Sequence, residues 1–441
     1  MSRVPAEFDL KYGDITVAVS VPEGLRTTVL SPGVGANSAG SGAPLTDPLL
    51  ALEDSLRNPI GSPPLCEVVR PGDRVVVLVS DITRLWIRTS DFMAPILDHL
   101  NRAGVPDSRI SICVAMGSHR KMTLDEIRRI VGDMAYERVS VFQHDIDDEN
   151  GFVYLGKTSR GTPVWVNRRV MEHDRILMTG GIVHHAMAGY GGGRKSVLPG
   201  IASRDTIKAN HLWVLDPDKV GIRPGVGSAK TLGNPLHEDM VDAAAMVAPD
   251  FIVNVVTDSQ GWFAGFFSGH WLEAWQAGCK LVDRMYCVPI DHKVEMVIAA
   301  CGRYPRDISM YQASKSFYNA WMALKPGGTL VLLVEAREGG GGEEFFKWFR
   351  YPDIESCYEA LKSDFTVAGY LAFLTRYIAS VVRTVIVTDM DSNLVRTMGV
   401  IPAPTVREAV ETGLSWAGHD PEILVMPEAG ITLPILHGET P

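Results

Sequence analysis

Residues Arg74–Ser80 read RVVVLVS, and a strand with no polar residue along its middle is stable only where both of its faces are covered. The same pattern returns at Ile110–Ala115, Arg175–Thr179, Phe251–Val256, Met296–Cys301, Thr329–Val334, Thr384–Val387 and Glu422–Met426. Helical segments lie between these runs, at Asp91–Ala103, Leu124–Val131, Ser314–Leu324, Glu343–Trp348, Ile354–Leu361 and Val406–Glu411. Doubly covered strands joined by helices predict an α/β fold with mostly parallel sheets. Ahead of this rhythm stand a strand candidate, Ile15–Ser20, and a loop rich in Gly, Pro and Ser from Ser31 to Pro48. The prolines of Asn58–Leu65 (NPIGSPPL) rule out regular structure there, and Pro326-Gly327-Gly328 reads as a turn.

At 441 residues the chain is longer than one hydrophobic core supports. The rhythm pauses after Val256 and resumes at Met296, which sets a boundary near 285–295. The expected division is an N-terminal α/β domain, 1–288, and a C-terminal α/β domain, 289–441, with an active-site cleft between them. The C-terminal tail is expected to pack back on the first domain. A net charge of -10 argues against nucleic acid as a partner, because binding its backbone needs a basic surface. A local cationic pocket for a small anion is still compatible with that total. No apolar run approaches the ~20 residues that cross a bilayer, and Met1–Asp9 has no apolar signal core, so no membrane association and a cytoplasmic location are expected. The six cysteines form no C-x-x-C pair, and several fall in strand-like runs, as buried free thiols of a reducing compartment would.

Three polar clusters each follow a strand, which is where open α/β sheets bind ligands. In Ser80-Asp81-Ile82-Thr83-Arg84, Arg84 suits a carboxylate and Asp81 suits an orienting role, although a plain Asp–Arg surface pair reads the same way. In Gly117-Ser118-His119-Arg120, a histidine freed by a glycine suits acid/base work, or equally a solvated His–Arg pair. The richest cluster runs from His184-His185 through Gly189-Tyr190-Gly191-Gly192-Gly193-Arg194-Lys195-Ser196 to His211. Its glycines let backbone amides approach a phosphate, and it nearly spells a Walker A loop. Arg194, however, stands where that loop needs its second glycine, and nucleotide hydrolysis leaves the histidines unexplained. His211 is a possible metal ligand with no Cys, Asp or second His at zinc spacing, so a metal here would take most of its ligands from a prosthetic group. Gln312 and Lys315 open a helix of the second domain, and Glu343 and Glu344 follow Gly339–Gly342 as helix-starting acids. His237 reads as a satisfied polar group.

In this order and spacing, NPIGSPPL, Ser80-Asp-Ile-Thr-Arg84, Gly117-Ser-His-Arg120, Gly161-Thr-Pro-Val164, Gly189–His211 and the Gln312/Lys315 pair resemble the nickel-pincer nucleotide-dependent lactate racemase family. The resemblance implies a racemase or epimerase that inverts C2 of a 2-hydroxy acid by hydride transfer. It implies a pyridinium-3,5-bisthiocarboxylic acid mononucleotide carrying nickel, joined covalently to Lys195, with His211 as the protein's nickel ligand. His119 and His185 would be paired acid/base residues. Arg84 and Lys315 would bind the substrate carboxylate, supported by Asp81 and Gln312. Gly191, Gly192, Gly193, Arg194 and Ser196 would seat the nucleotide phosphate. Cofactor-biosynthesis proteins are the implied partners in maturation. Ile82 stands where family members carry histidine, Leu85-Trp86 replace a proline, and Tyr370 aligns with a tryptophan. With these departures at the expected pocket wall, lactate and a larger 2-hydroxy acid are both open. The competing readings are a P-loop-like nucleotide-hydrolysing enzyme and a non-catalytic binder of a metallated nucleotide.

Overall fold

The computed structural model describes residues 6–32, 42–302, 304 and 306–438. Met1–Pro5 of the expected N-terminus, 33–41 of the expected loop and the last three residues of the tail lie outside the described residues. Two compact units interleave along the chain, against an expected division at 288/289. The first unit comprises Ser38–Val214 and Arg223–Met285; the second comprises Met1–Asn37, Leu215–Ile222 and Tyr286–Pro441.

The first unit is built on a six-stranded sheet. Its spatial order is Phe263–Gly269, Phe251–Thr257, Arg175–Gly181, Val75–Ser80, Ile110–Ala115 and Ser140–Gln143. All pairings are parallel except the edge pair Phe251–Thr257 with Phe263–Gly269. Val75 to Val79 are all fully buried, as their apolar run requires. Helix Thr89–Arg102 turns Phe92, Met93, Ile96, Leu97 and Leu100 toward the core, at helical spacing. Helix Leu124–Val131 starts on a capping box, with the Thr123 hydroxyl accepting from the Glu126 amide and the Glu126 carboxylate accepting from the Thr123 amide.

The second unit carries a six-stranded sheet that is parallel throughout. Its order is Ile401–Ala403, Arg383–Val387, Leu324–Leu333, Val294–Ala300, Ile423–Met426 and Thr27–Val29. The N-terminal strand Thr27–Val29 therefore completes the sheet of the later chain, and an antiparallel ribbon, Ala6–Tyr12 with Ile15–Val21, packs Leu10, Val19 and Val21 into the same core. The tail strand Leu433–Leu436 pairs with Cys287–Ile290. The expected turn at Pro326–Gly328 is a bulge within strand Leu324–Leu333, where the register jumps from Val294↔Leu324 to Met296↔Thr329.

The described structure holds no helix long and apolar enough to cross a membrane. All six cysteines are free. Burial pushes the thiols of Cys113 and Cys301 up to about 12, so they are inert packing groups. Against the expected burial, Cys66 is exposed and Cys287 is only half-buried.

Candidate active site

Three adjacent strands of the first unit deliver the three polar clusters at their carboxyl ends. Asp81 follows Val75–Ser80, Gly117–His119 follow Ile110–Ala115, and the glycine-rich stretch follows Arg175–Gly181. From Val75–Ser80 the chain moves outward through Ile110–Ala115 to Ser140–Gln143, then returns to the opposite side at Arg175–Gly181. The clusters therefore flank the point where strand order reverses, the usual ligand crevice of an open α/β sheet.

Asp81 and His119 are joined directly. His119 Nδ1 lies 2.5 Å from Asp81 Oδ2, and Asp81 Oδ1 accepts from the Thr83 amide at 2.9 Å and the Thr83 hydroxyl at 2.5 Å. Burial alone would raise the Asp81 carboxyl. The bond and charge of His119, the Thr83 hydroxyl and Arg84 outweigh it and hold the group below the usual carboxylate range. An ionised Asp81 fixes the proton of neutral His119 on Nδ1 and turns Nε2 outward as the basic nitrogen. Arg84 is exposed, donating to the Thr83 carbonyl and hydroxyl at 3.3 and 3.2 Å. Ile82 and Trp86, expected at the pocket wall, are partly buried and pack against the core of this unit, and Trp86 covers Gly181 so closely that a methyl group there would lie 2.5 Å from the indole.

The His119 loop is tied to the lysine loop. The Gly117 amide donates to the Gly200 carbonyl at 2.9 Å, and the Gly200 amide donates to the Lys195 carbonyl at 3.0 Å. Gly193–Ser196 is a single 3-10 turn, with Lys195 half-buried. The rest of this stretch turns inward. The Gly191 amide bonds the Val183 carbonyl, and the Gly193 amide bonds Asn254 Oδ1. Ser196 Oγ donates to the Thr179 carbonyl. Gly192 is closed in by Asn254 and the Gly181 carbonyl, and Gly193 by Trp275. Arg194 is fully buried, donates to the carbonyls of Tyr190 and Ala188, and lies 4.3 Å from the Trp275 ring centre. These contacts spend on the fold the donors that a phosphate cradle or a Walker loop would direct at its ligand.

His211 ends helix Arg204–His211, which starts on the Ser203 cap, and is 3% exposed. Its Nδ1 donates to the Ile207 carbonyl at 2.9 Å. Burial first, and then the charge of Lys195, lower the imidazole to about 4 against the opposing Ile207 bond, so His211 is neutral beside a lysine at pH 7. Its neighbour Asn210 donates to buried Asp239, which also accepts from Thr158 and Thr162. Gln312 and Lys315 are exposed residues near the start of helix Met310–Met322 in the second unit, capped by Ser309 and bonded through the Met310 amide to the Gly339 carbonyl. Tyr370, also in that unit, is fully buried among Phe365 and Phe373.

Several residues of this region have no sequence motif. Helix Glu273–Tyr286 presents Trp275 and Asp283 to the stretch that carries His185. Trp275 Nε1 donates to the Gly191 carbonyl at 2.8 Å, and Asp283 accepts from His184 Nε2 at 2.9 Å and from the Tyr190 hydroxyl at 2.8 Å. His237 stacks on the same indole, and its buried Nδ1 finds no hydrogen-bond partner among the described residues, contrary to the satisfied group expected.

Residues 12–232 match the family model described as the lactate racemase N-terminal domain, and residues 290–434 match the lactate racemase C-terminal domain. The chain belongs to the lactate racemase family. It is 33% identical over 386 residues to a lactate racemase of Lactiplantibacillus plantarum, covering 86% of this chain and 88% of that one. It is 29% identical over 431 residues to a lactate racemase of Thermoanaerobacterium thermosaccharolyticum, covering 96% and 98%. The structure of the lactate racemase apoprotein from that second organism matches with a TM-score of 0.87 at 27% identity, over 98% of this chain and 100% of that one. A Thermotoga maritima protein shares the fold, with a TM-score of 0.61 at 18% identity over 84% and 95%. The chain is accordingly an isomerase of the racemase type.

Proposed function

We propose that the chain inverts C2 of a 2-hydroxy acid by hydride transfer, using a nickel-pincer nucleotide joined to Lys195. The observation that carries this reading is the neutral, buried His211 beside Lys195. An imidazole that donates Nδ1–H to a backbone carbonyl directs its Nε2 lone pair outward, the usual arrangement of a metal-bound histidine. One imidazole beside one lysine fits a group that brings its own sulfur donors and is tethered covalently. When bound, that group supplies the hydride acceptor and the metal.

The chain's own residues manage the proton and the carboxylate. His119 takes the hydroxyl proton at Nε2, and Asp81 stabilises the imidazolium that results. His185 is the partner acid/base group on the other face, so the 2-keto acid formed between can regain its hydrogen on either side. Arg84 and Lys315 hold the carboxylate, with Asp81 and Gln312 in support. Gly191, Gly192, Gly193, Arg194 and Ser196 shape the loop that presents Lys195. Proteins that make the cofactor are the required partners, and the cytoplasm is the proposed location. Lactate, named for both relatives, is the first substrate to test.

The test is to express the chain with the cofactor-making machinery and measure intact mass, metal and racemisation. A cofactor-sized adduct on Lys195 with about one nickel per chain is expected. An unmodified chain without nickel under those conditions would sink this reading. His119→Ala and His185→Ala should each abolish racemisation while keeping the adduct, and near-normal rates in either variant would refute the two-base assignment.

A further inference from the structure

His185 sits on an antiparallel ribbon of two residue pairs, His184↔Tyr190 and His185↔Gly189. Gly227–Ser228 pairs in parallel with Ala188–Tyr190 to make a third strand, yet a sheet of two- and three-residue strands has little stability of its own. Successive residues of a strand point to opposite faces. On one face, His184 and Tyr190 meet with ring centres 5.4 Å apart, and both donate to the Asp283 carboxylate. On the other face, His185 is paired with Gly189.

Two backbone amides orient its ring. The amides of Met187 and Ala188 both point at His185 Nδ1, at 3.2 and 3.3 Å. The turn that supplies them is held from behind, because the Met187 carbonyl accepts from Asn234 Nδ2 at 2.8 Å and the Ala188 carbonyl accepts from Arg194 at 2.5 Å. Helix Glu273–Tyr286 backs the assembly at both ends. Trp275 lies against Arg194 and Tyr190 near its start, and Asp283 closes the ribbon eight residues later, on the same helical face.

We propose that Asp283 is the positioning residue for His185, fixing it as the Nε2–H tautomer, so that the two histidines of the site rest with opposite nitrogens protonated. A ring nitrogen that accepts two amide protons carries none itself, so the proton of neutral His185 lies on Nε2. His119 is the reverse, with Nδ1–H on Asp81 and the lone pair on Nε2. At rest one histidine offers a lone pair through Nε2 and the other offers a proton. His185 accepts a proton through Nε2 only after Nε2 has given up its own and Nδ1 has taken one, releasing the Met187 and Ala188 amides. The acid/base part of this inference rests on the function proposed above; the tautomer and its dependence on Asp283 do not.

The test uses the full-length, cofactor-free chain labelled with 15N-histidine. Long-range 1H–15N spectra near neutral pH report which ring nitrogen carries the proton, and His119→Ala and His185→Ala assign the two rings. The expected result is Nε2–H for His185 and Nδ1–H for His119. Asp283→Asn and Tyr190→Phe should each convert the His185 signals to an averaged mixture and leave His119 unchanged. Nδ1–H for His185 in the parent chain, or a His185 pattern indifferent to both substitutions, would overturn the proposal. Tyr190→Phe, which removes one hydroxyl, decides the matter if Asp283→Asn does not fold. In the cofactor-loaded protein, Asp283→Asn should lower kcat at least tenfold and leave KM within twofold. A full rate alongside a displaced His185 tautomer would leave the positioning standing and refute the acid/base role of His185.

Discussion

Asp81 shows how much one buried side chain carries. Its carboxylate holds His119 and Thr83 together, and its acid form is disfavoured in the fold although burial alone would favour it. A carboxyl whose folded pKa is depressed adds stability that is complete above its ordinary value and is lost as pH falls through the folded one. At neutral pH the contribution is therefore fully present. Asp81→Asn should cost about 1.5–3 kcal/mol, the worth of a hydrogen bond to a charged group. It should also lower kcat by roughly 10²–10⁴, the span typical of acid/base catalysis, because the His119 imidazolium loses its counter-charge. Urea midpoints and steady-state rates of the loaded protein check the two effects separately. An unchanged rate would show that His119 needs no anionic partner. Asp81 and His119 were each legible in advance, since each follows a strand run that could be read directly, but their contact with one another was not. Neither was Asp283, because it lies 99 residues from His184 and belongs to no motif.

At the scale of elements, legibility followed the strength of the apolar signal. Strand Ile110–Ala115 and helix Leu124–Val131 fall on the residues their patterns predict. Helix Glu273–Tyr286 falls where the pattern pauses, because its buried face includes Ala274, Gly278 and Cys279 as well as Trp275. Small residues give a weak hydrophobic period, yet they let the helix approach the glycine loop closely. The loop's glycines were read as room for a phosphate, and most of that room is occupied by the fold. This has a direct consequence for substitution. A methyl group at Gly193, where φ is +57°, would lie 2.6 Å from Trp275 Cδ1. Gly193→Ala should therefore cost about 1–3 kcal/mol in overpacking, beyond the about 1–2 kcal/mol of left-handed backbone strain, and should reduce adduct formation at Lys195. Gly233, with φ +72° and open space at the same position, is the control. Gly233→Ala should show the backbone cost alone. Equal melting shifts for the two variants would mean that Trp275 does not brace the loop.

For the molecule as a whole, acid is the condition that separates the energetics of this fold from those of its surface. His144 is fully buried in the first unit, donating Nε2–H to the Ala202 carbonyl and accepting from Asn167. Burial lowers it to about 4, against small opposing effects of the Ala202 bond and Asp145. His237 is lowered to about 3 by burial and by Arg194. For these groups the unfolded chain binds protons first, from about pH 6.5 downward. Stability should accordingly be complete above pH 6.5, fall as the pH drops toward 4, and level off for each group below its folded value. Across its window His144 contributes a loss on the order of 3 kcal/mol and His237 one on the order of 5 kcal/mol. That is a large share of the total, because a fold retains only about 5–15 kcal/mol. Urea midpoints of the cofactor-free chain from pH 8 to pH 4 should trace that fall. His144→Gln should cost stability at pH 8 and flatten the pH dependence by about one proton, because glutamine has nothing to titrate. A variant that kept the parent's slope would show that His144 is protonated inside the fold, and that the Ala202 and Asn167 contacts do not govern its charge.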